Sequence, residues 1–303
     1  MNIAVITGAS SGLGREFARQ IDELGEVEQI WLIARRRDRL EEVSRLLATQ
    51  SKILCADLSD RSGVIALEEA LAGAAPVIRY LVNAAGFGRF GSFRDIPLEE
   101  IDRMIDLNCK GAVDVTQICL PYCTRGSRIL EICSTAAFQP IQFLNVYAAS
   151  KSFLYRYSRA LNAELMHEGI TVTAVCPYWV KDTEFIPAAE QGTVKQQTAD
   201  RQISAQPQAA EQQTSAQPHT AVKKPSAEQK PGAAIVNTKP NAPVVKHYYL
   251  AQTSEETVHR ALADARIGLS VSTPGMICTI HRIAAKILSS NILMALWELI
   301  RRA

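Results

Sequence analysis

No apolar run in this chain approaches the roughly 20 residues a membrane-spanning helix requires. The first one, Ile3 to Ile6, breaks off at Gly8, far short of the apolar core of a secretory signal. An excess of one charge is also lacking. The 33 Lys and Arg nearly cancel the 31 Asp and Glu, so the net +2 gives nucleic acid no basic footprint. Seven cysteines contain no C-x-x-C pair, and most lie inside apolar runs. They read as small buried side chains in a reducing compartment. Cys119 and Cys123 share a helix face but have no His or carboxylate partners at ligand spacing, so no metal is expected. What these absences leave is a globular protein of the cytoplasm. Its 303 residues suffice for one large domain or two small ones.

Two hydrophobic periods alternate along the first 180 residues. Strand-like runs are expected at 2–6, 29–34, 52–56, 79–82, 128–133 and 170–176. Helical patterns fill 15–24, 38–50, 59–72, 97–120 and 146–168. Repeated β-α units whose strands are apolar without alternation predict a parallel sheet covered by helices on both faces. Ligands of such α/β sheets bind outside the carboxyl ends of the strands.

The residues that invite chemistry lie at those ends. After the first strand comes Thr7-Gly8-Ala9-Ser10-Ser11-Gly12-Leu13-Gly14, then an amphipathic helix. Small residues there let the backbone approach a pyrophosphate resting on the helix N-terminus. The second strand ends in Ala34-Arg35-Arg36-Arg37, with no acid to bind ribose hydroxyls. Arg35, with Arg36 beside it, suits a ribose 2′-phosphate, which favours NADP (NADPH) over NAD. Asp57 and Leu58 close the third strand; Asp57 suits either an adenine amino group or, with Ser59, a helix cap. Tyr147 and Lys151 are four apart and share a helix face, so an ammonium lies near a phenol and favours its ionised form. Ser134, after the strand at 128–133, brings a hydroxyl toward the same place.

With Thr7-Gly8-x-x-x-Gly12-x-Gly14, Asp57, Asn83-Ala84-Ala85-Gly86, Asn108, Ser134 and Tyr147-x-x-x-Lys151 in this order, the chain resembles the short-chain dehydrogenase/reductase family. The likeness is to its short, single-domain subclass. It spans residues 1–183 and continues more weakly from about 250. The resemblance implies a Rossmann-type doubly wound sheet, an NAD(P) cofactor and a small-molecule carbonyl or alcohol substrate. It makes Tyr147 the acid-base residue, Lys151 the group that tunes it and holds the nicotinamide ribose, and Ser134 the hydroxyl that polarises the carbonyl. Asn108 then matches the asparagine of a proton-relay water. Val180 and Thr183 match residues that contact the carboxamide; Pro177 matches the proline of the family's Pro-Gly, but Tyr178 stands in place of that glycine and, followed by Trp179, should narrow the nicotinamide side of the pocket. The family also implies a homo-oligomer joined through the helices at 97–120 and 146–168.

Composition changes abruptly at 188–246, where Gln, Ala, Pro, Thr, Ser and Lys replace almost every aliphatic and aromatic residue. Such a segment buries too little apolar surface to offset its ordering entropy, so a disordered insertion is expected inside one domain made of 1–187 and 247–303. A helix capped by Ser254 follows, then, after Pro274-Gly275, an amphipathic C-terminal extension. That extension reads either as a cover for the substrate pocket or a neighbouring subunit, or as an interfacial helix touching a membrane. Pocket candidates Phe87, Phe90, Phe93, Phe138, Ile141, Phe143 and Leu144, with Tyr178 and Trp179, favour an apolar carbonyl substrate. The leading reading is an NADPH-dependent carbonyl reductase. The alternative is an NADP-binding sensor or scaffold acting through its insertion.

Overall fold

Among the described residues, seven strands form one parallel sheet, in the order Ser51–Cys55, Gln29–Ala34, Asn2–Thr7, Val77–Asn83, Cys123–Ile132, Thr171–Val175 and Val271–Ser272. The computed structural model describes residues 1–92, 94–190 and 250–302. The first half runs β1 (Asn2–Thr7), α1 (Gly12–Leu24), β2 (Gln29–Ala34), α2 (Arg37–Leu46), β3 (Ser51–Cys55), α3 (Arg61–Ala74) and β4 (Val77–Asn83). Then come α4 (Leu98–Ile105), α5 (Ala112–Cys119), β5 (Cys123–Ile132), α6 (Asn145–Leu165) and β6 (Thr171–Val175). Beyond the segment at 191–249, α7 (Ser254–Arg266), β7 (Val271–Ser272), α8 (Met276–Ile287) and α9 (Ser290–Arg302) complete the chain. The topology is that of a doubly wound Rossmann sheet. Strand order reverses between β1 and β4, which opens a crevice at their carboxyl ends.

Both faces of the sheet are buried, which is why the strands lack polar alternation. Ala4 and Ile6 of β1 point to one side and pack with Phe17, Ile21 and, from α7, Val258 and Leu262. Ile3 and Val5 point to the other and pack with Leu67, Leu71, Val115 and Leu161. Each such large side chain, fully buried, contributes about 1.5–3 kcal/mol. Because α7 packs on the first face and β7 pairs with β6, residues 250–302 join the same sheet as the first 190.

Several elements differ from the sequence expectation. The helix expected over 97–120 is interrupted by a π-helical turn, Asp106–Gly111, with Asn108 inside it. Helical periodicity does not reveal a turn wound by one extra residue, and such turns often serve a site. Ser254 is not the cap of α7. Thr253 is, in a capping box with Glu256, which leaves Ser254 as the first helical residue. Two-residue β7 carries too short a pattern to be seen in advance. Residues 185–190 are helical and Ala189 is buried, so the part of the expected insertion at 188–190 is ordered against the body. Residues 191–246 lie outside the described residues. Cys55 is exposed, against the expectation of burial.

Candidate active site

The β1 turn forms because only glycine fits it. Gly8 has φ +65°, and a Cβ there would lie 2.8 Å from the carbonyl of Ala84. A Cβ at Gly14 would run into the Gly8 carbonyl oxygen. The turn therefore presses on the β4 loop on one side and on the first turn of α1 on the other. Ser11, the N-cap of α1, makes no side-chain cap hydrogen bond, which leaves the first N–H groups of α1 without a side-chain cap at the crevice. Ser10, Ser11, Gly12, Leu13 and Gly14 all line a cavity of about 610 Å³ that runs from this turn past the ends of β2, β3, β4 and β5.

At one end of the cavity lie Arg35, Arg36, Asp57 and Leu58. Arg35 Nη1 is 3.5 Å from Asp57 Oδ2, and Arg36 Nη2 is 2.9 Å from Glu184 and 3.3 Å from Ser10 Oγ. Asp57 also accepts hydrogen bonds from the amide and hydroxyl of Ser59 at 3.0 and 2.6 Å. It is therefore not a helix cap; Asp60 caps α3 by accepting from the Ser62 amide. Burial raises the Asp57 pKa, but the Ser59 bonds and Arg35 outweigh it and hold the carboxyl below its usual range.

The other end carries the hydroxyls. Tyr147 and Lys151 lie on the buried stripe of α6, in the order Tyr147, Lys151, Leu154, Ser158 and Leu161. Ser134 follows β5, and its hydroxyl accepts from the Ala136 amide at 3.1 Å on the same cavity wall as the Tyr147 phenol. All three side chains line the cavity. Lys151 Nζ lies 5.7 Å from the Tyr147 ring centre and donates to the Ile132 carbonyl at 2.7 Å. The expected ionisation of the phenol does not follow. Burial pushes Tyr147 well above the ordinary tyrosine value, and Ser134 only partly offsets this. Lys151 is itself buried, which lowers its pKa, while nearby thiols and Glu131 oppose that drop. Burial is the largest cause at both groups and disfavours the charged form of each, so the phenol keeps its proton.

Three predicted site residues do not line the cavity. Thr7 Oγ1 accepts from the Ala85 amide at 3.1 Å and so fixes the β4 loop from behind. Asn83 turns into the interior, where its amide donates to Thr116 Oγ1 at 2.8 Å and Glu131 Oε1 at 2.9 Å. Asn108 grips the backbone of Phe87 on both sides, accepting from its N–H at 3.0 Å and donating to its carbonyl at 2.8 Å. It also donates to Ser150 Oγ at 3.1 Å. The remaining candidates, Gly8, Ala84, Ala85, Gly86, Pro177, Val180 and Thr183 among them, do line it. Gly86 sits so close to the site that a Cβ there would be 2.9 Å from Asn108 Oδ1 and 3.3 Å from Lys151 Nζ.

Beyond Tyr147 the cavity wall turns apolar, with Phe87, Ile141, Leu144, Trp179 and Trp297. Trp179 stacks obliquely with Phe90 at 6.0 Å and with Trp297 at 6.4 Å. Phe90 supports that wall without lining the cavity. Phe138 packs edge-on against Tyr155 and His281, and Phe143 lies under the Arg301 guanidinium; neither reaches the cavity. Phe93 lies outside the described residues. Sequence reading missed Gln139 and His281, which line the cavity and hydrogen-bond each other at 2.8 Å. It also missed Glu184, the partner of Arg36. A lone His on a tail helix and an acid before an insertion carry no spacing that would mark them.

A family model described as short chain dehydrogenase matches residues 2–193. The chain belongs to the short-chain dehydrogenase family. It is thereby an NAD(P)-dependent oxidoreductase, and its glycine cradle and the helix end free of a side-chain cap suit that cofactor. An uncharacterized oxidoreductase of Staphylococcus epidermidis is 33% identical over 199 residues, covering 65% of this chain and 85% of that protein. A very-long-chain 3-oxoacyl-CoA reductase of Anas platyrhynchos is 34% identical over 188 residues, covering 58% of this chain and 59% of the reductase. Among solved structures, a short-chain dehydrogenase from Sphingobium yanoikuyae in complex with NADPH superposes with a TM-score of 0.66 at 22% identity. That match covers 97% of this chain and 96% of the other, and it shows the shared fold.

Proposed function

We propose that this short-chain dehydrogenase is an NADPH-dependent reductase of apolar ketones or aldehydes, working in reverse as an alcohol dehydrogenase. The observation that carries the reading is that Tyr147, Ser134 and Lys151 line one cavity whose other end holds Arg35 and Arg36. When bound, the reduced nicotinamide supplies the hydride that reaches the carbonyl carbon. The chain's own residues do the rest. Tyr147, kept protonated by burial, donates its proton to the carbonyl oxygen. Ser134 turns its hydroxyl to the same oxygen, and the buried Lys151 ammonium supports the negative charge that develops there. Asn108 is a positioning residue, because it fixes Phe87 on the cavity wall and Ser150 beside Lys151. Arg35 and Arg36 favour a 2′-phosphate, which would draw them from Asp57 and Glu184. Phe87, Ile141, Leu144, Trp179 and Trp297 favour an apolar substrate.

The test is a panel of ketones and aldehydes followed by nicotinamide absorbance, with NADPH and NADH side by side. Turnover with bulky apolar carbonyls is expected. Tyr147→Phe should lose about 10²–10⁴-fold in kcat and still bind NADPH. Turnover unchanged in Tyr147→Phe would sink the mechanism. Tight NADPH binding with no turnover on any carbonyl would instead favour a sensor.

A further inference from the structure

The last two helices carry large apolar side chains on their outer faces as well as on their inner ones, more than a helix that only covers a core requires. On α8, Ile280, Ile283 and Ile287 share the exposed face with Lys286, while His281 and Cys278 turn inward. On α9, Ile292, Leu296 and Leu299 are exposed, and the inward side carries Leu293 and Trp297, whose indole donates to the Gln142 carbonyl. Ile287 is 76% exposed and Leu299 69%. An apolar surface of this extent is costly in water unless it is used. The two faces meet at the cavity mouth, where Ile280, Leu296 and Ile300 are both exposed and part of the cavity lining.

We propose that this α8–α9 face docks on an anionic lipid bilayer and that the apolar substrate enters the cavity from the hydrocarbon, an inference that rests on the reductase reading for its second half. Two observations favour a bilayer over a second copy of the chain. First, a copy seated on this face would lie across Ile280, Leu296 and Ile300 and close the mouth they form, whereas a fluid lipid phase leaves a route through it. Second, residues 276–302 hold Arg282, Lys286, Arg301 and Arg302 against the single acid Glu298, which Arg301 pairs; the net charge stays positive, with Lys286 exposed beside the isoleucines. A self-complementary pairing would bring like charges together, while anionic headgroups would attract them. No described helix is long and apolar enough to cross the membrane, so the contact is interfacial.

The test uses the full chain and sedimentation with vesicles of phosphatidylcholine alone or mixed with phosphatidylglycerol. Wild type should bind the mixed vesicles at least about tenfold more strongly than the neutral ones. The double variant Ile283→Asp/Ile287→Asp, outside the cavity lining, should lose vesicle binding by more than about tenfold and keep wild-type NADPH affinity and thermal unfolding. Its turnover of a water-soluble ketone should match wild type, while turnover of a ketone dissolved in vesicles should fall. Absence of vesicle binding by wild type would overturn the proposal, as would binding untouched by the double variant. Conversion of a wild-type dimer into monomers by the double variant, without vesicle binding by either, would show a subunit interface instead. Vesicle binding needs no turnover, so failure of the reductase reading would appear separately in the ketone assays.

Discussion

Glu131 offers a test of the electrostatics behind the active site that does not depend on substrate. It lies on β5, an inner strand between β4 and β6, and is fully buried. Its Oε1 accepts from Asn83 at 2.9 Å and from Thr116 at 2.7 Å. Its Oε2 has no hydrogen-bond partner, and neither has Asn83 Oδ1. A proton on Oε2 removes the cost of a buried carboxylate, and burial accordingly pushes the pKa to about 7, against an ordinary 4.5, although Asn83, Thr116 and Lys151 all pull it down. The native state therefore holds a proton that the unfolded chain releases. Stability is full below pH 4.5, falls as pH rises toward 7, and levels off above that value, because ionisation is easier in the unfolded chain. The displacement of about 2.5 units corresponds to about 3 kcal/mol. Glu131→Gln keeps the acceptor oxygen and abolishes the titration. Urea unfolding at pH 5, 6, 7 and 8 should show the variant close to wild type at pH 5. It should gain on wild type through the neutral range, approaching about 3 kcal/mol at pH 8. Titrations shared by the two proteins cancel in the difference. A difference independent of pH would refute the buried neutral acid, and so would a variant less stable than wild type at pH 8.

Other expectations follow from single contacts. Gly14→Ala forces a Cβ into the Gly8 carbonyl, so it should weaken cofactor binding, read by fluorescence titration, and cost about 1–3 kcal/mol in urea unfolding. Arg36→Glu places a carboxylate beside Glu184 and the 2′-phosphate position; the NADPH over NADH ratio of kcat/KM should drop by at least about tenfold. Thr253→Ala removes the capping box of α7 and should cost about 1 kcal/mol with kcat unchanged.

How far the sequence reaches depends on whether a residue acts through local spacing or through a fold-dependent meeting. The sheet and its helices were legible because burial on both faces removes polar alternation from the strands, as in β1 and β2. Gly8 and Gly14 were legible because a crowded turn admits no other side chain. Tyr147 and Lys151 share one turn of one helix, so their spacing states their proximity. It does not state their ionisation, because desolvation depends on everything packed around them, and that environment reverses the expected direction for Tyr147. Asn83 and Asn108 show the same limit from the other side. Asn83 was expected at a strand end and Asn108 inside a long helix, yet each amide turns away from the cavity because buried donors must find acceptors. Asn83 finds Glu131 and Thr116, which are 48 and 33 residues away. Asn108 finds Phe87, 21 residues away, through a π turn that periodicity does not announce. The C-terminal helices extend the argument. Their sequence shows apolar residues at helical spacing, and only the fold separates Leu293 and Trp297, which are buried, from Ile280 and Leu296, which belong to the surface and to the cavity lining at once.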